Sequence, residues 1–374
     1  MWKNRIAWLI VVLAALGFYL FENNAGTRVL LAAVVLLPLC SALALYLPRV
    51  RLTADFELPE TAARDAGSRC VLYLRGSAPA RLRASLEIEN LLTGERAALS
   101  CAVSAGAEGT AFTLRGVHCG CLRVRLASVK AEDALGLFAR AIPCAADEGK
   151  ILIPPRTAPV ALSLADTADF LQDSERYSAQ TPGCDPGETF RVREYAPGDP
   201  VRQIHWKLSE KTDRTMVRDF GLPVLERMLL LLDTAGAAPE DLDLLLDLLF
   251  SLSRSLLALD VFHTVGWRDG ETGNYMSEEI TCPEALDALL TRMLSAPAAD
   301  GAVAESYLRT HLQCAHAHVA VLTAEPPADI ASLWHGNHVT ALLPAGRAET
   351  AEGGVPVLLW TPEQLRRGEL IFEL

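Results

Sequence analysis

The sequence lacks a positive charge balance. Its 34 Lys+Arg stand against 46 Asp+Glu, a formal net charge of -12, which excludes charge-driven attachment to nucleic acid or to an anionic bilayer surface. It also lacks a disulfide framework. The 9 cysteines are odd in number and scattered without regular spacing, so a reducing compartment with mostly buried thiols is expected. There is no G-x-S-x-G nucleophile elbow and no glycine-rich phosphate loop, which removes the commonest hydrolase and nucleotide-binding signatures. Cys119-Gly120-Cys121 reads as a pair of inert thiols on one strand face. Internal repeats and low-complexity tracts are missing as well.

Two stretches lack charge altogether, and they lie at the front. Ile6 to Phe21 and Val29 to Leu47 are uncharged, and hydrophobic residues make up 51% of the chain with a mean hydropathy of +0.21. A membrane helix needs roughly 20 apolar residues. The second stretch satisfies this directly, and the first does so once Lys3 and Arg5 snorkel at its end. Trp2, Trp8 and Tyr46 fall near the ends, where aromatic belts form. A signal peptide is the rival reading of the first stretch, but NNAG is a poor cleavage site. Residues 1–50 are therefore expected to form a transmembrane hairpin in the cell membrane. Lys3 and Arg5 before it, and Arg49 and Arg51 after it, assign the bulk of the chain to the cytoplasmic side by the positive-inside rule.

Residues 51–156 alternate in short runs: CVLYLRG, RLRASLEIEN, AFTLRG, CLRVRLASV and KILIPP, separated by turn-formers. Such spacing predicts an antiparallel β-sandwich. In CLRVRLASV, Leu122, Val124 and Leu126 are expected to face inward and Arg123 and Arg125 to face water. Residues 157–227 are poorer in periodicity and richer in charge. From Met228 onward, strand-like and helix-like runs alternate, beginning with the apolar run MLLLLLD; residues 228–374 therefore predict an open, mostly parallel α/β sheet. Within PEDLDLLLDLLFSLSRSLLALD, Asp243, Asp247, Ser251 and Ser255 recur every four residues and form one polar stripe, as on an amphipathic helix that packs against the sheet.

The middle segment contains the densest chemistry, REYAPGDPVRQIHWKLSEKTDRTMVRDF, from Arg193 to Phe220. Pro197-Gly198 is a turn signal. Asp199 can cap a helix with Pro200 at its first position, and on that helix Arg202 and Trp206 fall four apart, as do Gln203 and Lys207. Two readings follow. Arg193, Arg202, His205 and Lys207 form a site for an anion or an acidic partner; or Trp206 and Ile204 anchor the linker while Arg193, Glu194, Asp199 and Arg202 pair with one another. Between Cys184 and Arg227 there are 8 Lys+Arg and 8 Asp+Glu, which favours internal pairing and a structural latch, one that a partner reads.

This stretch resembles the REYxxGDxxRxIHWKxSxxxxxLMVRxF hallmark of the bacterial membrane proteins of domain-of-unknown-function family 58. Arg115-Gly116, EDALGLF at 132–138 and ILIPPR at 151–156 are similar to the family's upstream motifs. The resemblance implies an Ig-like β-sandwich followed by a von Willebrand factor A-like, Rossmann-type domain with flanking helices. It also implies association with a MoxR-type AAA+ ATPase and with transglutaminase-like membrane proteins, and it supplies no activity. Carried onto this chain, the partner-docking or latch residues are Arg193, Glu194, Tyr195, Gly198, Asp199, Arg202, His205, Trp206 and Lys207.

In von Willebrand A-like domains the first strand ends in Asp-x-Ser-x-Ser, whose oxygens hold a divalent ion. Asp233 is in place, but the two hydroxyl positions are Ala235 and Ala237, so the metal site is degenerate and no cofactor is expected. Cys314, His316 and His318, with His311 nearby, would share a strand face and suit zinc. The resulting expectation is a non-enzymatic membrane adaptor working with the ATPase in envelope-related assembly or chaperoning. A divalent-metal-dependent ligand-binding module and a zinc-dependent enzyme using His316 and His318 are the alternatives.

Overall fold

A computed structural model describes residues 2–22, 24–47, 50–76, 81–106, 108–163, 176–177, 185–221, 223–303, 307, 315–325, 338–345 and 356–373. The chain divides into two compact units, Met1–Pro154 and Pro155–Leu374.

The first unit opens with two helices, α1 (Trp2–Phe21) and α2 (Ala25–Tyr46). By length and composition both can cross a membrane, and the uncharged runs account for them. Asn24 ends the connection between them. Its Oδ1 accepts the Thr27 N–H at 2.9 Å and its own N–H donates to Thr27 Oγ1 at 3.2 Å, a capping box that satisfies donors the helix start leaves open.

One residue in the last turn of α2 departs from the sequence expectation of one apolar span reaching Leu47. Leu45 is only 6% exposed and belongs to the β core of the same unit. That one side chain plugs into protein, while Leu43, Tyr46 and Leu47 around it stay exposed. The loop at 133–139 gathers both helices. Asp133 accepts a hydrogen bond from Ser41 Oγ at 2.7 Å and from the Phe138 N–H at 2.8 Å. Arg5 Nε donates to the Leu137 carbonyl at 2.9 Å, and Arg140 donates to the Tyr46 carbonyl at 2.9 Å. Burial pushes the Asp133 carboxyl up, but the bonds from Phe138, Ser41 and neighbouring backbone N–H groups outweigh it and hold the carboxyl below its ordinary value.

Nine strands follow: β1 (Leu52–Glu57), β2 (Gly67–Arg75), β3 (Arg81–Asn90), β4 (Arg96–Val103), β5 (Thr110–Arg115), β6 (Gly120–Glu132), β7 (Ala139–Ile142), β8 (Cys144–Ala146) and β9 (Gly149–Ile153). They form one sheet in the order β5-β2-β1-β8 and a second in the order β4-β3-β6-β7, with β9 on β6. All pairs are antiparallel except β1 with β8, which is parallel. Both sheets contribute to one core, including Leu72, Leu74, Leu86, Val124 and Ile153. Leu122 and Val124 face inward as their alternation predicts, but Leu126 is only half-buried and the inward positions after it are Val129 and Ala131. The cause is a register shift: Leu126 pairs with Leu86 and Ser128 with Ser85, so one residue bulges and the phase flips. Gly116 has a packing reason, since a Cβ there would run into Cδ1 of the fully buried Ile153.

The second unit begins with an extended segment, Arg156 to Val160, lying on a later helix. Among the described residues, eleven strands and four helices follow in chain order. They are β10 (Ala161–Ser163), β11 (Arg176–Tyr177), β12 (Asp185–Glu194), α3 (Trp206–Thr212), β13 (Met216–Gly221), β14 (Pro223–Leu232), α4 (Pro239–Ala258), β15 (His263–Arg268) and β16 (Tyr275–Ile280). The series closes with α5 (Pro283–Leu294), β17 (Ala315–Leu322), β18 (His338–Pro344), β19 (Val357–Trp360), α6 (Pro362–Arg367) and β20 (Ile371–Glu373). A seven-stranded sheet has the order β16-β15-β14-β17-β18-β19, with β11 beside β14. Strands β15, β14, β17, β18 and β19 run parallel, and β16 is an antiparallel edge. Leu229 to Leu231 at its centre are fully buried, which is why their sequence shows no alternation. The run ADIASLWHG, which reads as a short helix within that strand–helix alternation, lies outside the described residues.

The stripe Asp247, Ser251, Ser255 on α4 does not face solvent. Asp247 Oδ1 accepts the Arg156 N–H at 2.7 Å, Ser251 Oγ the Ala158 N–H at 3.0 Å, and Ser255 Oγ the Val160 N–H at 3.0 Å. Two extended residues advance roughly 6.6 Å and four helical residues about 6 Å, so the two periodicities match. The strap continues into β10, which pairs in parallel with β20.

Candidate functional site

The Arg193 to Phe220 motif folds as a two-stranded ribbon, β12 against β13, whose connection carries a 3₁₀ turn (Val201–Gln203) and α3. Pairing sets Glu194 opposite Met216, Arg193 opposite Val217 and Arg191 opposite Asp219. A lone two-stranded ribbon is marginal in water, so its side chains must supply the closure.

Arg193 is the hub. Its guanidinium meets Asp199 in a fork, Nη1 to Oδ2 at 2.7 Å and Nη2 to Oδ1 at 2.8 Å, while Nε reaches Asp219 Oδ2 at 3.2 Å. Arg191 Nε donates to the same Asp219 oxygen at 2.7 Å. Asp199 also accepts the Ala196 N–H at 2.7 Å, closing the turn in which Gly198 takes φ +111, a conformation side chains resist. The Arg193 guanidinium, aided by that N–H, holds the Asp199 carboxyl down at about 2. Hydrogen bonding to Arg191, and then to Arg193, lowers Asp219 against the opposing effect of burial. Bonds to Asp199 and Asp219 raise the Arg193 pKa, so the hub stays charged throughout the physiological range. Glu194 pairs with Arg214 across the exposed face of the ribbon.

Asp199 therefore does not cap a helix at Pro200, because its carboxylate turns back to Arg193 and Ala196. The expected single helix is instead a 3₁₀ turn, a break at Ile204, and α3. Ile204 is 9% exposed and bridges to the fully buried Val217. His205 caps α3, with Nδ1 accepting the Leu208 N–H at 3.3 Å, and its own N–H donates to the Met216 carbonyl at 2.8 Å. Ser209 Oγ accepts the Met216 N–H at 2.8 Å. The break separates Arg202 from Trp206, which no longer share one helical face.

The apolar side chains divide sharply. Ile204 closes the ribbon, whereas Trp206 is 65% exposed, Val201 65% and Tyr195 41%. Trp206 does not anchor the linker. Arg202 and Lys207 are exposed and form no ion pair among the described residues, so the pairing network consists of Arg191, Arg193, Asp199 and Asp219, with Glu194 and Arg214 alongside. Arg191, Arg214 and Asp219 were not singled out from the sequence. For Asp219 the signal was the MVRDF end of the motif, where it falls opposite Arg191 once the ribbon is registered.

Asp233 follows β14 and is 6% exposed. Its Oδ1 accepts the Ala235 N–H at 3.1 Å. Burial raises its pKa, opposed by the Ala235 and Val303 N–H groups and by Arg268. Thr234 Oγ1 is engaged with both backbone groups of Ala299, at 3.0 and 3.2 Å. Asp233 thus ties together the loops above the sheet. Among the described residues no three His, Cys, Asp or Glu side chains gather in a metal-holding group. His311 and Cys314 lie outside the described residues; His318 Nε2 meets Thr340 Oγ1 at 3.2 Å.

A sequence model of the family described as "Protein of unknown function DUF58" matches residues 191–239, which supports that family for this chain. No curated protein matches it. Among solved structures, a cohesin module from a Clostridium perfringens family 33 glycoside hydrolase is 8% identical. It covers 27% of this chain and 100% of its own, with a TM-score of 0.17. The CARDB domain of a Pyrococcus furiosus protein, solved in complex with di-metal ions, is 7% identical. It covers 26% of this chain and 89% of its own, with a TM-score of 0.16. At those scores neither likeness bears on the fold or the function of this chain.

Proposed function

We propose that the protein is a membrane-anchored, non-enzymatic docking protein that works with a MoxR-type AAA+ ATPase in envelope-related assembly or chaperoning. In this reading α1 and α2 hold it in the cell membrane, with the remainder of the chain on the cytoplasmic side. The loop at 133–139 supports that arrangement, because it binds the start of α1, which carries Lys3 and Arg5, to the end of α2. We read the two-sheet unit as Ig-like. The seven-stranded unit we read as a von Willebrand A-like domain whose metal loop has become structural at Asp233. A transglutaminase-like membrane protein is a second candidate partner on the family resemblance.

One observation carries the docking reading: the ribbon inverts the usual distribution of side chains. Arg193, Asp199 and Asp219 satisfy one another, while Trp206 stands 65% exposed on the connection. A folded segment held by a bidentate ion pair, with a tryptophan presented outward, is the form of an interface anchor.

The test is crosslinking and co-purification of the ATPase from membranes with wild type and Trp206→Ala. Loss of the ATPase at an unchanged melting temperature is the expected result. Equal recovery of the ATPase with the variant would overturn the reading.

A further inference from the structure

Deepening that reading, and resting on it, we infer that the ribbon's connection recognises an acidic segment of its partner, one that carries apolar side chains among its carboxylates. The observation is a second division on the ribbon, this time among its cations. Arg191, Arg193 and Arg214 are all engaged with acids of the ribbon itself. Arg202, Lys207 and Lys211 are exposed, with no ion pair among the described residues; Arg218 of β13 has none either but is half-buried. Arg202, Lys207 and Lys211 lie on the stretch that presents Val201 and Trp206.

Lys207 and Lys211 are four apart on α3, so they share one helical row. Trp206 and Glu210 form the adjacent row, and Asp213 ends the helix in a left-handed conformation. The exposed acids of the connection, Glu210 and Asp213, thus sit at the middle and end of α3, while Trp206 and Lys207 open it and Arg202 lies on the 3₁₀ turn before the break. An acidic segment entering from Arg202 meets cation, aromatic and cation in succession. A chain whose net charge is -12 repels acidic surfaces at long range, so a local cationic row selects its partner at contact. The same net charge disfavours an anionic bilayer as the occupant.

The experiment uses the full chain in phosphatidylcholine nanodiscs, with the purified MoxR-type ATPase of the same bacterium as the probe. Binding is measured at about 50 and about 300 mM salt, a range over which screening of exposed charges changes strongly. The proposal expects affinity to fall roughly tenfold or more across that range. It expects the triple variant Arg202→Glu/Lys207→Glu/Lys211→Glu to weaken binding by about 100-fold, and Lys207→Arg/Lys211→Arg to retain it. A photo-crosslinker at Val201 should attach to a partner peptide containing both carboxylates and apolar residues. If charge reversal has no effect while Trp206→Ala abolishes binding, the acidic-partner inference falls and the docking reading stands. If neither variant weakens binding, both fall. Burial of Trp206 in phosphatidylglycerol nanodiscs without the ATPase, seen as a blue-shifted emission, would make the bilayer the occupant and overturn the inference.

Discussion

The Arg156 backbone N–H donates to the Asp247 carboxylate at 2.7 Å, and this bond is the first of three on one helix face. Ser251 and Ser255 repeat it with Ala158 and Val160. A polar stripe that merely faced solvent would tolerate substitution within about 0.5 kcal/mol. Here Asp247 is 4% exposed and Ser251 fully buried, so removing either acceptor leaves a donor unsatisfied. We expect Asp247→Ala to cost about 1–3 kcal/mol and Ser255→Ala about 1 kcal/mol, read as lowered denaturation midpoints of the full chain in detergent. Wild-type stability in both variants would show that the strap does not depend on the ladder.

His263 is fully buried in β15, with Nε2 against Ser253 Oγ at 2.6 Å and Nδ1 against the Val261 carbonyl at 3.2 Å. Burial, with the Val261 contact opposing it, lowers its pKa from 6.5 to about 4. The unfolded chain therefore takes up this proton below its ordinary pKa of 6.5, while the folded chain does not until about 4. The contribution is constant above 6.5, declines as pH falls through the window, and levels off below 4, a total loss of roughly 3 kcal/mol. His263→Gln, which cannot titrate, should flatten that portion of the stability–pH curve. An identical slope in wild type and variant would assign the acid sensitivity elsewhere.

Asp133 offers a third test, because it bonds both to its own loop and to Ser41 on α2. Its carboxyl is held below the ordinary value, so the contribution is present above the unfolded pKa and is lost only as pH falls through the lower folded one. Asp133→Ala should destabilise the full chain by about 1–3 kcal/mol, and Ser41→Ala by about 1 kcal/mol. Faster tryptic cleavage at Arg140 in Asp133→Ala would be the local readout. Cleavage at the wild-type rate would mean that the loop holds without the carboxylate.

Much of the fold was legible, and the illegible parts have physical causes. The apolar run from Met228 and the long helix of α4 followed from periodicity alone, because burial on both faces and on one face leave different patterns. The bulge before Ser128 was invisible, since one inserted residue changes phase without changing composition. The stripe Asp243, Asp247, Ser251, Ser255 was seen, but its partner could not be: backbone N–H groups of a strap have no signature in side chains. The burial of Leu45 in the last turn of α2 could not be told from its exposed neighbours, because apolar residues serve a bilayer and a protein core equally well. In the ribbon, the turn at Gly198 was written in the sequence, whereas the choice of Arg193 over a helix end as the partner of Asp199 depended on the register of β12 against β13.

That register also separates Ile204 from Trp206, two residues the sequence grouped as anchors. Ile204 is 9% exposed against the fully buried Val217, and Trp206 is 65% exposed. Burial controls the expected result of truncation. Ile204→Ala removes packed methylenes and leaves a cavity beside Val217, so a loss of about 2 kcal/mol or more is expected, measurable as a lowered unfolding midpoint together with faster proteolysis between β12 and β13. Trp206→Ala exposes nothing new and should remain within about 0.5 kcal/mol of wild type. A latch built on Trp206 requires the opposite order, with the tryptophan variant the less stable of the two. Measured side by side in detergent, the pair therefore decides whether Trp206 serves the fold or whatever meets its exposed face.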